Sequence, residues 1–123
     1  MRGFGELETA IMDRLWTRGE PATVRDLLPS LRERREIAYT TVLTVMDNLY
    51  RKGWLRRESA GRANRYAPVI TREEYVAQLM AEALADSTDR AQAFLHFIGQ
   101  MTMQDAAALR SALNAYERQI AAP

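Results

Sequence analysis

The segment from Tyr39 to Lys52 carries the clearest periodic pattern in the chain, and that pattern restricts what the segment can become. At 3.6 residues per turn, a helix would collect its apolar side chains on one continuous arc and its polar side chains on the other. The apolar arc contains Val42, Leu43, Val45, Met46, Leu49 and Tyr50. The polar arc contains Thr40, Thr41, Thr44, Asp47, Asn48, Arg51 and Lys52. We therefore expect a helix that ends at Gly53 and packs by one face.

Two further helices are predicted before this segment. The first has apolar residues at helical spacing and a glycine suited to a left-handed cap, namely Phe4, Leu7, Ile11, Leu15 and Gly19. The second begins at a capping box formed by Thr23 and Asp26. Because Pro29 removes a backbone hydrogen bond one turn later, this helix should be short or kinked.

A β-hairpin is predicted after the third helix. Two short runs with aromatic or apolar residues flank the sequence Ala60-Gly61-Arg62-Ala63, and Pro68 ends the second run. Three helices followed by a hairpin with a cationic tip is the element order of a winged helix-turn-helix. We assign residues 1–70 to this domain, and the fold class is mainly α.

Residues 71–123 are predicted to form three more helices. One opens at the capping box of Thr71 and Glu74, the next runs from near Thr88 to Ile98, and the last opens at Thr102. A region of this length buries too little surface to form an independent core. We therefore expect it to build a two-fold homodimer. The predicted interface residues are Leu79, Leu84, Phe94, Phe97, Leu109, Leu113, Tyr116 and Ile120.

Charge is distributed unevenly along the chain. The whole protein has a net charge of only +1, but residues 1–70 carry 13 basic and 9 acidic side chains, whereas residues 71–123 carry 4 and 7. Between Asn48 and Tyr66, one acidic residue, Glu58, stands among six basic ones: Arg51, Lys52, Arg56, Arg57, Arg62 and Arg65. A local concentration of positive charge is suited to a polyanion.

The polar face of the third helix matches the chemistry of the DNA major groove. Hydroxyl and amide groups can meet base edges there, while cations meet phosphates. The predicted DNA-binding residues are Tyr39, Thr40, Thr41, Thr44, Asn48, Arg51, Lys52, Arg62 and Arg65. Two alternatives stay open: the threonines could simply solvate a surface helix, or the basic patch could bind an acidic protein. Only DNA binding should weaken log-linearly with salt and prefer an inverted repeat.

Enzyme and metal chemistry find little support in the sequence. There is no cysteine, which excludes disulfides, thiolate metal sites and thiol nucleophiles. The single histidine, His96, stands among Phe94, Leu95, Phe97 and Ile98, so we expect a packed or half-buried structural role. We expect no enzyme activity, cofactor or metal. With no membrane span or secretory segment, the expected location is the cytoplasm.

The runs "GELETAIMDRLW" and "AYTTVLTVMDNLYRKGWLRRESAGRANRYAPV" resemble the penicillinase-repressor family of bacterial transcription regulators. The resemblance covers nearly the whole chain. It implies a homodimer with an N-terminal winged helix and a C-terminal helical dimerisation region. It also implies repression at palindromic operators, with β-lactam-resistance genes among the plausible targets.

Position by position, the resemblance places Thr40, Thr41 and Thr44 on the recognition helix and Arg62 to Tyr66 on the wing. The chain also departs from its relatives. Many of them have arginine where this chain has Asn48. Copper-responsive relatives end in cysteine-rich metal sites, which a chain without cysteine does not have. Antibiotic-responsive relatives are cleaved at an Asn-Phe bond, and this sequence contains no such dipeptide.

Overall fold

The computed structural model describes residues 3–122 of the chain. Within that range, three helices are followed by a hairpin and three further helices. In chain order the elements are α1 (Glu6–Arg18), α2 (Val24–Leu31), α3 (Tyr39–Arg51), β1 (Leu55–Ala60), β2 (Ala63–Pro68), α4 (Arg72–Ala85), α5 (Arg90–Gly99) and α6 (Met103–Ala121). This order confirms the predicted fold class.

The core of the N-terminal unit is enclosed by α1, α2, α3 and the hairpin. Its fully buried large side chains are Tyr66, Ile11, Met12, Leu15, Leu31, Met46, Leu49, Leu55 and Val42. The buried residues of α3 are the predicted Val42, Met46 and Leu49, so the division of this helix into two faces is confirmed. The prediction that Tyr50 belongs to the packed face is wrong, because this residue lies at the edge of the apolar arc and is 37% exposed.

The ends of the first two helices follow the predicted cap chemistry. Gly19 adopts a left-handed conformation with φ 76° after α1, and its N–H donates to the Leu15 carbonyl over 3.2 Å. At the start of α2, the Asp26 N–H donates to the Thr23 hydroxyl, and the Thr23 N–H donates to the Asp26 carboxylate. Pro29 lies inside a helix of only 8 residues, as expected of a short second helix.

The hairpin is an antiparallel pair with Leu55 opposite Pro68 and Ala60 opposite Ala63. Its two-residue turn is possible because Gly61 takes a φ of 70°, which disfavours side chains with a β-carbon. Ala22, between α1 and α2, adds an isolated bridge to Tyr66 through two backbone hydrogen bonds of 2.9 and 2.8 Å. The sequence predicted the hairpin but not this third segment, which ties the hairpin to the helices.

The first turn of α4 belongs to the N-terminal unit. Tyr75 stacks on Phe4 with ring centroids 4.3 Å apart and contacts the edges or faces of Trp16 and Trp54. Arg72 donates to the Asp13 carboxylate over 2.5 Å. The compact N-terminal unit, which reaches Glu82, therefore includes most of α4.

The second unit begins at Ala83 and contains α5 and α6. None of its described residues, 83–122, is buried within the chain. Asp89 caps α5, slightly later than the predicted start near Thr88, and the Thr102 hydroxyl caps α6 as expected. His96 is exposed, so the predicted packed or half-buried role is wrong within a single chain, because α5 has no buried residue there.

Across residues 3–122, no helix has both the length and the apolar character needed to cross a membrane.

Candidate nucleic-acid interface

The exposed side of α3 carries the predicted groove-facing residues. Thr40, Thr41 and Thr44 are exposed, and Tyr39 is 37% exposed at the start of the helix. Val42 and Met46, on the opposite side, are fully buried. Because the core holds that apolar side, the helix cannot rotate without exposing it, and the threonines are held facing outward.

The N-terminal end of α3 is suited to meet a negative charge. Its N-cap, Ala38, makes no side-chain cap hydrogen bond, in contrast to Thr23 and Thr102 at the starts of α2 and α6. The positive end of the helix dipole is therefore not covered by a side-chain acceptor of the cap residue.

The last turn of α3 presents a polar and cationic group. Arg51 donates to the Asn48 side-chain oxygen, and both remain accessible at the surface. The Lys52 Nζ lies 3.4 Å from the Glu8 carboxylate, while the Lys52 side chain is still 61% exposed. An exposed ion pair of this kind contributes little to stability, so Lys52 can exchange Glu8 for a phosphate at small cost.

The wing, which we define as residues 55–68, carries Arg62 in its turn and Arg65 on β2. Both are exposed. Arg65 stands opposite Glu58 in the strand register. The pKa of the Asp26 carboxyl lies below its usual range, chiefly because the Thr23 backbone N–H donates to it, and the charge of Arg65 acts in the same direction. Arg65 thus has acidic neighbours, whereas Arg62 is at the tip.

Asp47, on the polar face of α3, joins this helix to the wing. Its Oδ1 accepts a 2.5 Å hydrogen bond from the Tyr66 hydroxyl on β2 and a 3.2 Å hydrogen bond from Arg57 on β1. Arg57 also lies over the Tyr50 ring, 4.1 Å from its centroid. Burial, followed by the hydrogen bond to Asp47, raises the pKa of Tyr66, which keeps the hydroxyl protonated as a donor at neutral pH.

This cluster of Asp47, Tyr50, Arg57 and Tyr66 was not predicted from the sequence. Arg57 was expected among the cations of the basic patch, whereas the structure gives its guanidinium two partners on α3. One signal was available: Asp47 is an acidic residue on a face that otherwise carries hydroxyl, amide and cationic groups.

The predicted interface residues of the tail are accessible in the single chain. Leu79, Leu84 and Leu109 are half-buried, and Leu79 lies beside Gly3 within the N-terminal unit. The others are about half exposed or more: Phe94 51%, Phe97 48%, Leu113 52%, Tyr116 60% and Ile120 64%. So much exposed apolar surface on a short region is typical of a protein-protein interface.

Metal binding has no comparable support. Among the residues that the structure describes, no group of three or more His, Cys, Asp or Glu side chains could hold a metal ion.

Most of the chain matches the sequence pattern of a known family. The family model described as "Penicillinase repressor" matches residues 4–115, which include the whole winged helix and most of the tail. This chain belongs to the penicillinase repressor family. It is therefore a repressor-type transcriptional regulator, and its family is not a class of enzymes.

This penicillinase repressor family member is similar in sequence to a named regulator and similar in fold to two solved structures. "Transcriptional regulator BlaI" from two strains of Mycobacterium tuberculosis, CDC 1551 / Oshkosh and H37Rv, is 48% identical over 113 residues, covering 89% of this chain and 82% of the relative. The solved complex structure of hsRosR-S4 is similar in fold, with a TM-score of 0.53 at 22% identity over 88% of this chain and 94% of that one. The complex structure of hsRosR-S1 gives a TM-score of 0.52 at 20% identity, over 86% and 95%.

Proposed function

We propose that this chain represses transcription by binding an inverted-repeat operator in double-stranded DNA as a homodimer. The observation that carries the proposal is the division of α3 into a core-facing side and an exposed side. Val42, Met46 and Leu49 are fully buried. Thr40, Thr41 and Thr44 are exposed. A helix held in this way can enter the major groove with its hydroxyl groups toward the base edges.

The cations extend the proposed contact along the phosphate backbone. Arg51 and Lys52 lie at the end of α3, and Arg62 lies at the tip of the wing. Arginine and lysine bind phosphates without reading sequence, so these residues would fix the register of α3 in the groove. Asn48, beside Arg51, would lie further along the same strand.

The homodimer is supported by the tail. Its exposed aromatic and aliphatic residues, including Phe94, Phe97, Leu113 and Tyr116, would be covered by the same residues of a second copy. A two-fold dimer presents two copies of α3, and its operator should be an inverted repeat for that reason. From the family description and the similarity to BlaI, we propose penicillinase or other β-lactam-resistance genes as targets.

The proposal is tested by an electrophoretic mobility shift with the DNA upstream of the chain's own gene and with a scrambled duplex, each at two salt concentrations. Operator binding should exceed binding to scrambled DNA, and its logarithm should fall linearly with the logarithm of the salt concentration. Equal binding to both duplexes would instead favour a winged helix that contacts an acidic protein.

A base-reading role for Thr44 predicts altered sequence preference. Thr44→Ala should cost about 1 to 3 kcal/mol on the best operator and less on duplexes altered at the contacted base pair. Titration against a set of single-base operator variants measures this. Thr88→Ala, which removes another exposed threonine, should leave all affinities unchanged. A uniform loss with Thr44→Ala would indicate that this residue contacts phosphate.

A phosphate-binding role for Arg62 predicts a different signature. Arg62→Ala should weaken binding to all duplexes similarly and reduce the salt slope of the dimer by about two units, because each protomer releases one fewer counterion. Fluorescence anisotropy at several salt concentrations gives the slope. Arg90→Ala removes the same charge from the second unit and should not change it. An unaltered slope for Arg62→Ala would place the wing tip away from the DNA.

A further inference from the structure

We propose that Asp47 is a positioning residue that sets the orientation of the wing relative to α3, through Tyr66 and Arg57, and that it does not read a base. This inference rests on the proposed function, since the orientation matters only if both elements contact one duplex. It assigns a role to an acidic residue that the chemistry of DNA binding does not otherwise explain.

The location of Asp47 poses the problem. It follows Thr44 by three residues and precedes Arg51 by four, so it lies on the same helical face as both. Its side chain is 33% exposed. A carboxylate on a surface that approaches phosphates is repelled by them, and an unpaired one would weaken binding.

The hydrogen bonds of Asp47 resolve that problem. Oδ1 accepts from Tyr66 at 2.5 Å and from Arg57 at 3.2 Å, so the carboxylate charge is compensated by a neighbouring cation. Tyr66 and Arg57 stand opposite each other on β2 and β1. One atom on α3 therefore contacts both strands of the wing, which is the arrangement needed to fix an angle.

The partners of Asp47 are themselves held in place. The Tyr66 ring is fully buried, and its backbone exchanges two hydrogen bonds with Ala22. Arg57 is held a second time by α3, because its guanidinium lies over the Tyr50 ring at 4.1 Å. Tyr50 and Asp47 are three residues apart and face the same guanidinium, so two residues of α3 hold one side chain of β1.

Because the wing tip lies far from this cluster, a small change in the angle between the wing and α3 moves the tip by an appreciable distance. Three strand steps lead from Arg57 to Ala60, the last paired residue before the turn, and a strand rises about 3.3 Å per residue, so the turn that carries Arg62 begins roughly 10 Å beyond the cluster. A tilt of about 10° at Arg57 would shift the start of the turn by about 2 Å, which is more than the range of lengths that a hydrogen bond tolerates. Loosening Asp47 should therefore remove the phosphate contact of Arg62 without touching Arg62.

The experiment is a double-mutant cycle on the full-length protein with operator DNA. Tyr66→Phe keeps the buried ring and removes the hydroxyl, and Asp47→Asn keeps the size of the side chain and removes the charge. Each should lower operator affinity, and Arg62→Ala should have a smaller effect in either background, with coupling of about threefold or more. Glu33→Gln, which removes an exposed carboxylate after α2, should be additive with Arg62→Ala.

Three outcomes would overturn the inference while wild-type binding stays intact. Additivity of Asp47→Asn with Arg62→Ala would mean that the cluster does not position the tip. Higher affinity of Asp47→Asn for every duplex would mean that the carboxylate only repels phosphates. A change confined to one operator base pair would mean that Asp47 reads that base.

A measurement without DNA separates this inference from the proposed function. In the free protein, Asp47→Asn and Tyr66→Phe should accelerate hydrogen exchange of the amides in β1 and β2, while those in α1 keep the wild-type rate. Unchanged exchange in the wing would overturn the positioning role. If the wild-type protein shows no operator preference, the proposed function fails, and the exchange result still decides whether Asp47 holds the wing.

Discussion

Replacing Leu113 with aspartate should convert the protein into monomers and weaken operator binding by about 100-fold or more. Leu113 is 52% exposed on α6, in line with Leu109, Tyr116 and Ile120 at helical spacing. A charge in the centre of an apolar interface would be buried without a partner, which strongly destabilises association. A monomer then loses the second half-site and the effective concentration that it provides.

Sedimentation equilibrium at micromolar concentration measures the first effect, and anisotropy with operator DNA measures the second. Ser111→Asp is the matched control, because Ser111 lies about 200° around α6 from Leu109 and receives the same charge on the opposite side. It should remain dimeric. If Leu113→Asp stays a dimer with full affinity, the proposed interface on α6 is misplaced.

Replacing Tyr75 with alanine should lower the free energy of unfolding of the N-terminal unit by about 2 kcal/mol or more. The Tyr75 ring contacts the rings of Phe4, Trp16 and Trp54, and its hydroxyl accepts a 2.9 Å hydrogen bond from the Phe4 N–H. Removing the ring leaves a cavity among three aromatic side chains. Because α4 begins here, the same change should also loosen its first turns.

Urea denaturation followed by tryptophan fluorescence gives this free energy directly, since both tryptophans of the chain contact Tyr75. Tyr75→Phe is the control: it keeps the stacked ring and loses only the hydroxyl, so it should cost about 1 kcal/mol. Equal stability of Tyr75→Ala and the wild type would show that the aromatic cluster does not stabilise the unit.

The sequence predicted those features that depend on neighbouring residues. The two faces of α3 follow from a helical period, and the caps at Gly19, Thr23 and Thr102 follow from chemistry within four residues. The hairpin turn follows from a glycine that can adopt a positive φ. Each of these is decided by local geometry, so a single sequence suffices.

The features that the sequence did not predict depend on contacts between distant segments. Tyr50 has a large aromatic side chain of the kind that often lies in a core. Its position at the edge of the apolar arc of α3 instead places its ring under the Arg57 guanidinium. Phe4 and Tyr75 meet across 71 residues, and Asp47 and Tyr66 meet across 19. No periodicity within an element specifies such pairs, so the aromatic cluster and the role of Asp47 emerge only from the fold.

The residues of the candidate site likewise include some whose role the sequence predicted and one, Arg57, whose contacts it did not. The exposed threonines and the cations at Lys52 and Arg62 were predicted from the composition of the face and of the turn. Arg57 was assigned to the same surface, because charge alone does not distinguish a guanidinium that is available to a ligand from one held by a neighbouring carboxylate. In the structure, Asp47 and Tyr50 hold it.

The bridge between Ala22 and Tyr66 divides the hairpin into a fixed base and a variable end. Its two hydrogen bonds fasten β2 to the segment before α2, and any shift in pairing there would exchange inward for outward side chains. At the turn, a β-carbon added to Gly61 would meet no other atom within 4 Å, so the space beside this residue is open. Evolution or an engineer can therefore lengthen the hairpin at its end, and so change how many phosphates it spans, while the folded core remains as it is.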